Sequence, residues 1–487
     1  MAGATVPVRP VPVGDLPRPS APRRRQWVDA AVAGGLYLAA AAWFMWLAAA
    51  ASAQGVITGE EASVAHRDAM AIAMGWQPSV WSTNVAGQLF YWAAGLLTPE
   101  YGLLSPRPAK AVATALLVPL VFLVMRRRLG ATRSGSAVAA VAVGVLPGVS
   151  MLAWLAIETP LDTVVGVAAV YVLTSRRPWW PLGLVLAGLS VSAYTAGLAW
   201  AAAAAVIALA RVRGPRDGAL VLAGVVGGVA VVVWPLVWWN NGGVVVTGGG
   251  RAGPDPGAAG THLAELVRYL AVDGGSYYYF SDLPMLGASW LAAVLVLTLL
   301  VAVVARLREL APWLLVGLAA VALYTVSSGV PGSRRVVALV VVLALGLGVT
   351  TDVLVRAVRE HGAGRLGAAA GAVVTVLATL LVAVPSVDHT LDWRRDTVAG
   401  VPALPRDWPF PTDPGATQQQ TLDRLDRDLR QGLLTPRQVG DGWGGTRVLA
   451  LLFLLAERNG RRPALGPDDV VGYYWRGEGE CGELGDC

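Results

Sequence analysis

The strongest constraint on this chain is its succession of long apolar runs. The first spans Ala30 to Ala53, and others follow at about 110–125, 136–154, 160–175, 179–193, 195–210, 218–239, 288–305, 310–328, 336–354 and 366–385. Most approach the ~20 residues a helix needs to cross the hydrocarbon of a bilayer. In lipid every backbone N–H and C=O must find a partner within the protein, so such runs are read as helices. Composition agrees, because only 14% of the residues are charged and 55% are hydrophobic. An average soluble protein carries roughly 25% charged residues. A soluble enzyme, a fibrous protein and a disordered chain are excluded. The reading is an all-α polytopic membrane protein of about 11 transmembrane helices. Ala51-Ser52-Ala53 resembles a signal-peptidase site, but the run before it is longer than a signal core, so it is read as a retained first span. The pair 179–193 and 195–210 is separated only by Tyr194 and its neighbours.

Arginine placement gives the threading. With the N-terminus inside, the inner loops hold 17 positive charges, from Arg23–Arg25 to Arg365, and the outer loops before the last span hold seven. Cytoplasmic loops are enriched in Lys and Arg, so this orientation is favoured. It predicts a multi-pass cell-membrane protein with a cytoplasmic N-terminus and an extracytoplasmic C-terminal domain. The organisation is a disordered cytoplasmic arm (1–29), a transmembrane domain (30–386) with long outer loops at 54–108 and 240–287, and a soluble tail (387–487). The tail carries a net charge of −4 on a chain whose total is +6. It is expected to be small and mainly helical. Thr417 and Gln420 form a capping-box pattern before Leu422, Leu425 and Leu429, and Thr446 precedes the apolar stretch Val448–Ala456. That stretch is too short to span, so it is a core helix or lies on the membrane surface. Cys481 and Cys487, the two cysteines, could close a terminal loop on the oxidising face.

Long loops on one face point to chemistry there. The first outer loop begins Thr58-Gly59-Glu60-Glu61, with His66 and Asp68 close behind. Thr58 and Glu61 fit a capping box, which accounts for Glu61 better than for Glu60. An acid at a helix start facing a pocket can serve as a general base. Arg107 and Lys110 open the second span. Glu158 and Asp162, four residues apart around Thr159-Pro160, are read as sharing one helical face, with Asp162 a turn deeper. Arg334 and Arg335 lie at an outer mouth, against the positive-inside trend. Tyr277-Tyr278-Tyr279-Phe280 precedes a span, either as an interfacial aromatic belt or as a wall on which sugar rings stack.

The stretch from Gly59 to Trp76 resembles the acidic first-loop motif of the GT-C membrane glycosyltransferases. The branch it is most similar to contains the protein O-mannosyltransferases and lipid A aminoarabinose transferases. Gln77 to Trp92 looks like that branch's amphipathic surface helices. Ser105-Pro106-Arg107, the turn Arg126-Arg127-Arg128-Leu129-Gly130 and the opening Ile157-Glu158-Thr159-Pro160-Leu161-Asp162 resemble its later landmarks. The pattern covers roughly residues 30–200. One departure is Glu60, where the family usually has Asp.

The resemblance implies a monosaccharide, mannose or a pentose, carried on a polyprenyl phosphate. It also implies an acceptor hydroxyl on a glycan, protein or small molecule, and inversion at the anomeric carbon. It implies Glu60 as general base, with Glu61 and Asp162 as further catalytic candidates. Arg107, Lys110, Arg334 and Arg335 are candidates for the phosphate, and Glu158, His66, Tyr278 and Tyr279 for substrate contacts. No cofactor is required by this chemistry. A divalent metal is compatible with it, although the histidines show no paired metal spacing. The basic residues sit at span ends, so no nucleic-acid partner is expected. No Walker loop or nucleophile elbow is present. A transporter or flippase of lipid-linked material is the alternative, but it should carry charges near mid-bilayer on several spans.

Overall fold

The computed structural model describes residues 23–53, 61, 64–65, 69, 85–97, 106–175, 179–238, 256–272, 284–327, 333–362, 364–398, 416, 418–443, 446–458, 460–466 and 469. Among them there is no strand. The chain folds as a polytopic all-α bundle. The helices are α1 (Arg23–Ala53), α2 (Val85–Leu97), α3 (Pro106–Ala115), α4 (Leu117–Arg127), α5 (Arg133–Val145), α6 (Leu161–Leu173), α7 (Trp180–Ala193), α8 (Leu198–Leu209), α9 (Pro215–Trp238) and α10 (Ala259–Ala271). They continue with α11 (Ser289–Val326), α12 (Val337–His361), α13 (Gly364–Val398), α14 (Gln418–Arg430), α15 (Pro436–Trp443) and α16 (Thr446–Arg458). Six helical stretches are long and apolar enough to cross a membrane, and α5 to α8 are shorter apolar helices. The ambiguous pair at 179–210 resolves into two helices, α7 and α8, turned at Tyr194 by a short 3-10 helix.

Two ion clusters define one end of the bundle. Asp29 on α1 accepts from Arg126 (3.1 Å) and Arg133 (2.7 Å). Asp352 on α12 accepts from the Thr132 backbone N–H (2.6 Å) and pairs with Arg306 and with Arg356 (3.1 Å). Arg306 also donates to the Leu129 carbonyl and Arg356 to the Gly130 carbonyl. These are residues of the loops read as sharing one face. Helix α11 breaks at Arg306 (φ −149°, ψ 47°), between the two runs read as separate spans. Close packing is permitted by glycine: a Cβ at Gly188 on α7 would lie 2.3 Å from the Gly228 carbonyl oxygen on α9.

Two expectations change. The run 136–154 is not one helix. Helix α5 stops at Val145, because Pro147 forces Leu146 into an extended conformation (φ −60°, ψ 130°). A single helical turn, Pro147–Ser150, follows, and then irregular chain to Pro160, with every residue from 146 to 160 buried. Glu158 therefore precedes α6, and it does not share a helical face with Asp162. The helix that holds the last apolar run is longer than that run: α13 continues through Pro385 to Val398, past residue 387.

In the tail, Leu422 and Leu425 of α14, Val439 of α15 and residues 448–454 of α16 bury one another in a separate apolar cluster, with Leu429 partly buried against it. The α16 stretch is thus a buried core helix. The arm 1–22 and the two cysteines lie outside the described residues.

The Asp352 cluster generates a stability prediction. Its carboxylate is fully buried, the Arg306 side chain is 14% exposed and Arg356 is 45% exposed. Removing the acid strands Arg306, so Asp352→Ala is expected to cost about 3 kcal/mol. Arg356→Ala, at a solvated partner, should cost under ~1 kcal/mol. Thermal unfolding of the detergent-solubilised protein distinguishes the two.

Candidate active site at the end opposite the arginine clusters

The irregular segment 146–160 creates a physical problem whose solution is the site. A buried backbone without helix or sheet needs partners for its N–H and C=O groups. Local turns supply some of them, such as Met151 N–H to the Pro147 carbonyl and Ala153 N–H to the Val149 carbonyl, and side chains supply others. Glu61 Oε1 accepts from the Ala156 N–H at 2.9 Å. Lys110 Nζ donates to the carbonyls of Ile157 (2.5 Å) and Thr159 (2.7 Å). The Tyr91 hydroxyl donates to the Ile157 carbonyl as well. At the start of the segment, the Gly148 N–H donates to the Met285 carbonyl at 2.8 Å.

Glu61 is held in turn by Arg107. The guanidinium donates through Nε to Oε1 (2.8 Å) and through Nη2 to Oε2 (2.6 Å). Both side chains are at most 3% exposed. This two-point fork is the strong geometry for an arginine–carboxylate pair. Arg107 Nη1 donates to Ser52 Oγ at 3.3 Å, at the end of α1. The guanidinium also faces the Trp154 ring at 5.3 Å, and Trp154 packs on Trp393 of α13 at 5.7 Å. One arginine thus ties α1, α3, the acidic loop and the irregular segment together.

Lys110 is fully buried and attracts both Glu158 and Asp162 electrostatically. These carboxylates are 3% and 2% exposed. Among the described residues Asp162 Oδ1 has no hydrogen-bond partner. Ser190 on α7 donates to the Asp162 carbonyl at 2.7 Å, fixing the start of α6. Helix α2 lies close against Glu158: a Cβ at Gly87 would sit 2.6 Å from Glu158 Cγ. The result is a compact group of three acids and two bases at the membrane-body end of the first outer loop. A buried ionisable cluster in a membrane bundle is a candidate functional site.

Of the sequence candidates, Glu61, Arg107, Lys110, Glu158 and Asp162 come together. Arg107 was expected to face a phosphate, but its donors are directed at Glu61 and Ser52. Arg335, half-buried in the 3-10 turn Ser333–Val336 just before α12, has an Nε with no hydrogen-bond partner among the described residues. Glu60, His66, Tyr278, Tyr279 and the Arg334 side chain lie outside the described residues. No group of three His, Cys, Asp or Glu suited to a metal occurs among the described residues. Ser52, Tyr91, Trp154 and Trp393 were not anticipated. The nearest sequence signal was Pro147 and Pro160 bracketing an apolar run, which marks a break that polar side chains must fill.

The pair gives a second prediction. Arg107→Met or Glu61→Leu alone leaves a buried charge unpaired, at a cost of about 3–5 kcal/mol. The double variant removes both charges and should be less destabilised than the two costs added, by roughly 2 kcal/mol or more. A double-mutant cycle on thermal stability measures it, and additive losses would show that the two groups are not coupled.

No protein-family model matches the chain, and no curated protein matches it. Its fold does match crystal structures of ArnT from Cupriavidus metallidurans. The form bound to undecaprenyl phosphate aligns at TM-score 0.52 and 14% identity, and the apo form at 0.54 and 16%. Each alignment covers 85% of this chain and 82% of the other. This chain therefore shares the fold of ArnT over most of its length.

Proposed function

We propose that this chain is an integral-membrane glycosyltransferase. It moves a monosaccharide, mannose or a pentose, from a polyprenyl-phosphate donor to an acceptor hydroxyl on the outer face. The observation that carries this reading is the buried acid–base cluster around Lys110 at one end of an ArnT-like bundle. The relative bound to undecaprenyl phosphate supports a lipid phosphate as the donor's anchor. In this reading the N-terminus is cytoplasmic and the cluster faces the outside.

The chemistry is a single in-line displacement. The acceptor oxygen forms a bond to the anomeric carbon as the bond from that carbon to the phosphate oxygen breaks. The lipid phosphate leaves with the electron pair, and the acceptor proton passes to Glu60. The anomeric centre inverts. Charge grows on the leaving phosphate, so a donor must already be waiting for it. Arg335, with its unpartnered Nε, is assigned that role together with Arg334. Arg107 is assigned a positioning role, because its fork is committed to Glu61 and holds the loop on which Glu60 is the adjacent residue. Asp162 and Glu158 are assigned to sugar hydroxyls, with Lys110 balancing their charge. His66, Tyr278 and Tyr279 remain substrate-contact candidates. Charged groups collect at bundle ends, which favours surface chemistry over transport.

Isolated membranes test the proposal. Radiolabelled polyprenyl-phosphate mannose and polyprenyl-phosphate arabinose are offered separately, with cell extract as acceptor. Wild-type protein should consume one of them, and Glu60→Gln should lower turnover about 100-fold or more. Arg335→Gln should raise the donor KM about tenfold. Equal consumption by wild type and Glu60→Gln removes Glu60 from the base role. Consumption of neither donor removes both sugars, and a lipid-flipping assay then decides for the transporter.

A further inference from the structure

The first outer loop is gripped from two sides. Glu61 and Val64 belong to the membrane body: Glu61 through Arg107 and the Ala156 N–H, and Val64 through an apolar contact group with Tyr91 and Ala156. Four residues after Glu61 the allegiance changes. Ala65 and Ala69 are buried in the apolar cluster of the C-terminal helices, with Leu422, Leu425, Val439, Val448 and Leu465. Ala69 has no exposed surface. That cluster is otherwise built wholly from residues more than 350 positions further along the chain. The tail is thus packed directly on the segment that carries the acids.

We infer that the C-terminal helical unit is a clamp on the acidic loop, and that Ala65 and Ala69 are positioning residues for sugar transfer. The physical argument is one of leverage. Glu61 and Val64 anchor the loop on the membrane body, through Arg107, the Ala156 N–H and an apolar contact, and anchors on one side only leave the residues beyond them free to pivot. A second contact within eight residues, made by small side chains that allow close approach, removes that freedom. Catalytic groups misplaced by about 1 Å lose about 100-fold in rate, so a loop carrying a general base has reason to be held twice. Alanine suits the role, since any larger side chain would open the contact and a charged one would be expelled from it.

The kinetic part rests on the proposed transferase activity, while the docking part does not. Docking is read first, in full-length solubilised protein carrying Cys481→Ser and Cys487→Ser. A cysteine placed at Ala69 should react with a hydrophilic maleimide about tenfold more slowly than the same cysteine in a Val448→Asp background. Equal, fast labelling in both would overturn docking. The hold on the acids is read next without turnover: Arg107→Met should destabilise the Val448→Asp protein less than it destabilises wild type. Equal losses overturn the clamp even if the protein transfers no sugar.

Turnover gives the last reading. Val448→Asp and, from the other side of the contact, Ala69→Asp should each lower kcat about tenfold or more, with the donor KM within about twofold of wild type. Hydrolysis of the donor by water should fall in parallel. A rise in acceptor KM with kcat and hydrolysis unchanged would overturn positioning and make the tail an acceptor-binding unit. Failure of wild type to transfer any sugar would count against the transferase reading, and labelling and stability would still decide the clamp.

Discussion

Everything at this end of the bundle depends on the irregular segment between Leu146 and Pro160. Helices cross a membrane because they satisfy their own backbone, and this segment does so only in part, through turns such as the Met151 N–H to the Pro147 carbonyl. It is nonetheless buried throughout. Unpaired N–H and C=O groups in such a place cost several kcal/mol each in hydrocarbon. The chain meets the rest of the demand with carboxyl, amino and phenolic side chains from distant elements, namely Glu61, Lys110 and Tyr91. The charges that look catalytic in the sequence are therefore structural first. They are held where they are because a backbone needs them.

That double use explains how the charges divide. A buried ion must have a partner or it becomes neutral. Glu61 and Arg107 neutralise each other, and their mutual fork leaves little capacity for a ligand. Lys110 spends hydrogen bonds on two carbonyls, yet its charge still acts on Glu158 and Asp162. The second group is the chemically open one, with a buried Asp162 oxygen that has no hydrogen-bond partner among the described residues. The opposite end of the bundle shows what purely structural clusters look like. Asp29 and Asp352 each face several donors, with arginines capping the carbonyls of neighbouring turns.

Much of this was legible in the sequence, for stated reasons. Apolar runs and arginine placement report lipid contact and helix ends, and the fold follows from them. The arginines read as sharing a face do meet, at Asp29 and Asp352. The acids and cations of the site were found because charge is conspicuous in so apolar a chain. Their pairing was not legible. Arg107 looked like a phosphate ligand, since nothing local shows that Glu61 is 2.6 Å away across 46 positions. The periodicity of 136–154 read as one helix because the segment's side chains are apolar. The break lay in the backbone chemistry of Pro147, one residue that a hydropathy pattern averages away.

The alanines of the first loop make the same point more sharply. Ala65 and Ala69 carry no charge, no donor and no distinctive spacing, so sequence gives them no role. Their significance comes from what touches them, which is the far end of the chain. A loop of this length could not order itself, because each fixed residue costs roughly 1–2 kcal/mol of backbone entropy. The described residues of the loop are held from two sides, Glu61 by the bundle through Arg107, and Ala65 and Ala69 by the apolar cluster of the tail. In the proposed clamp, loosening the C-terminal helices would act on the acids, although no tail residue needs to reach the reacting atoms.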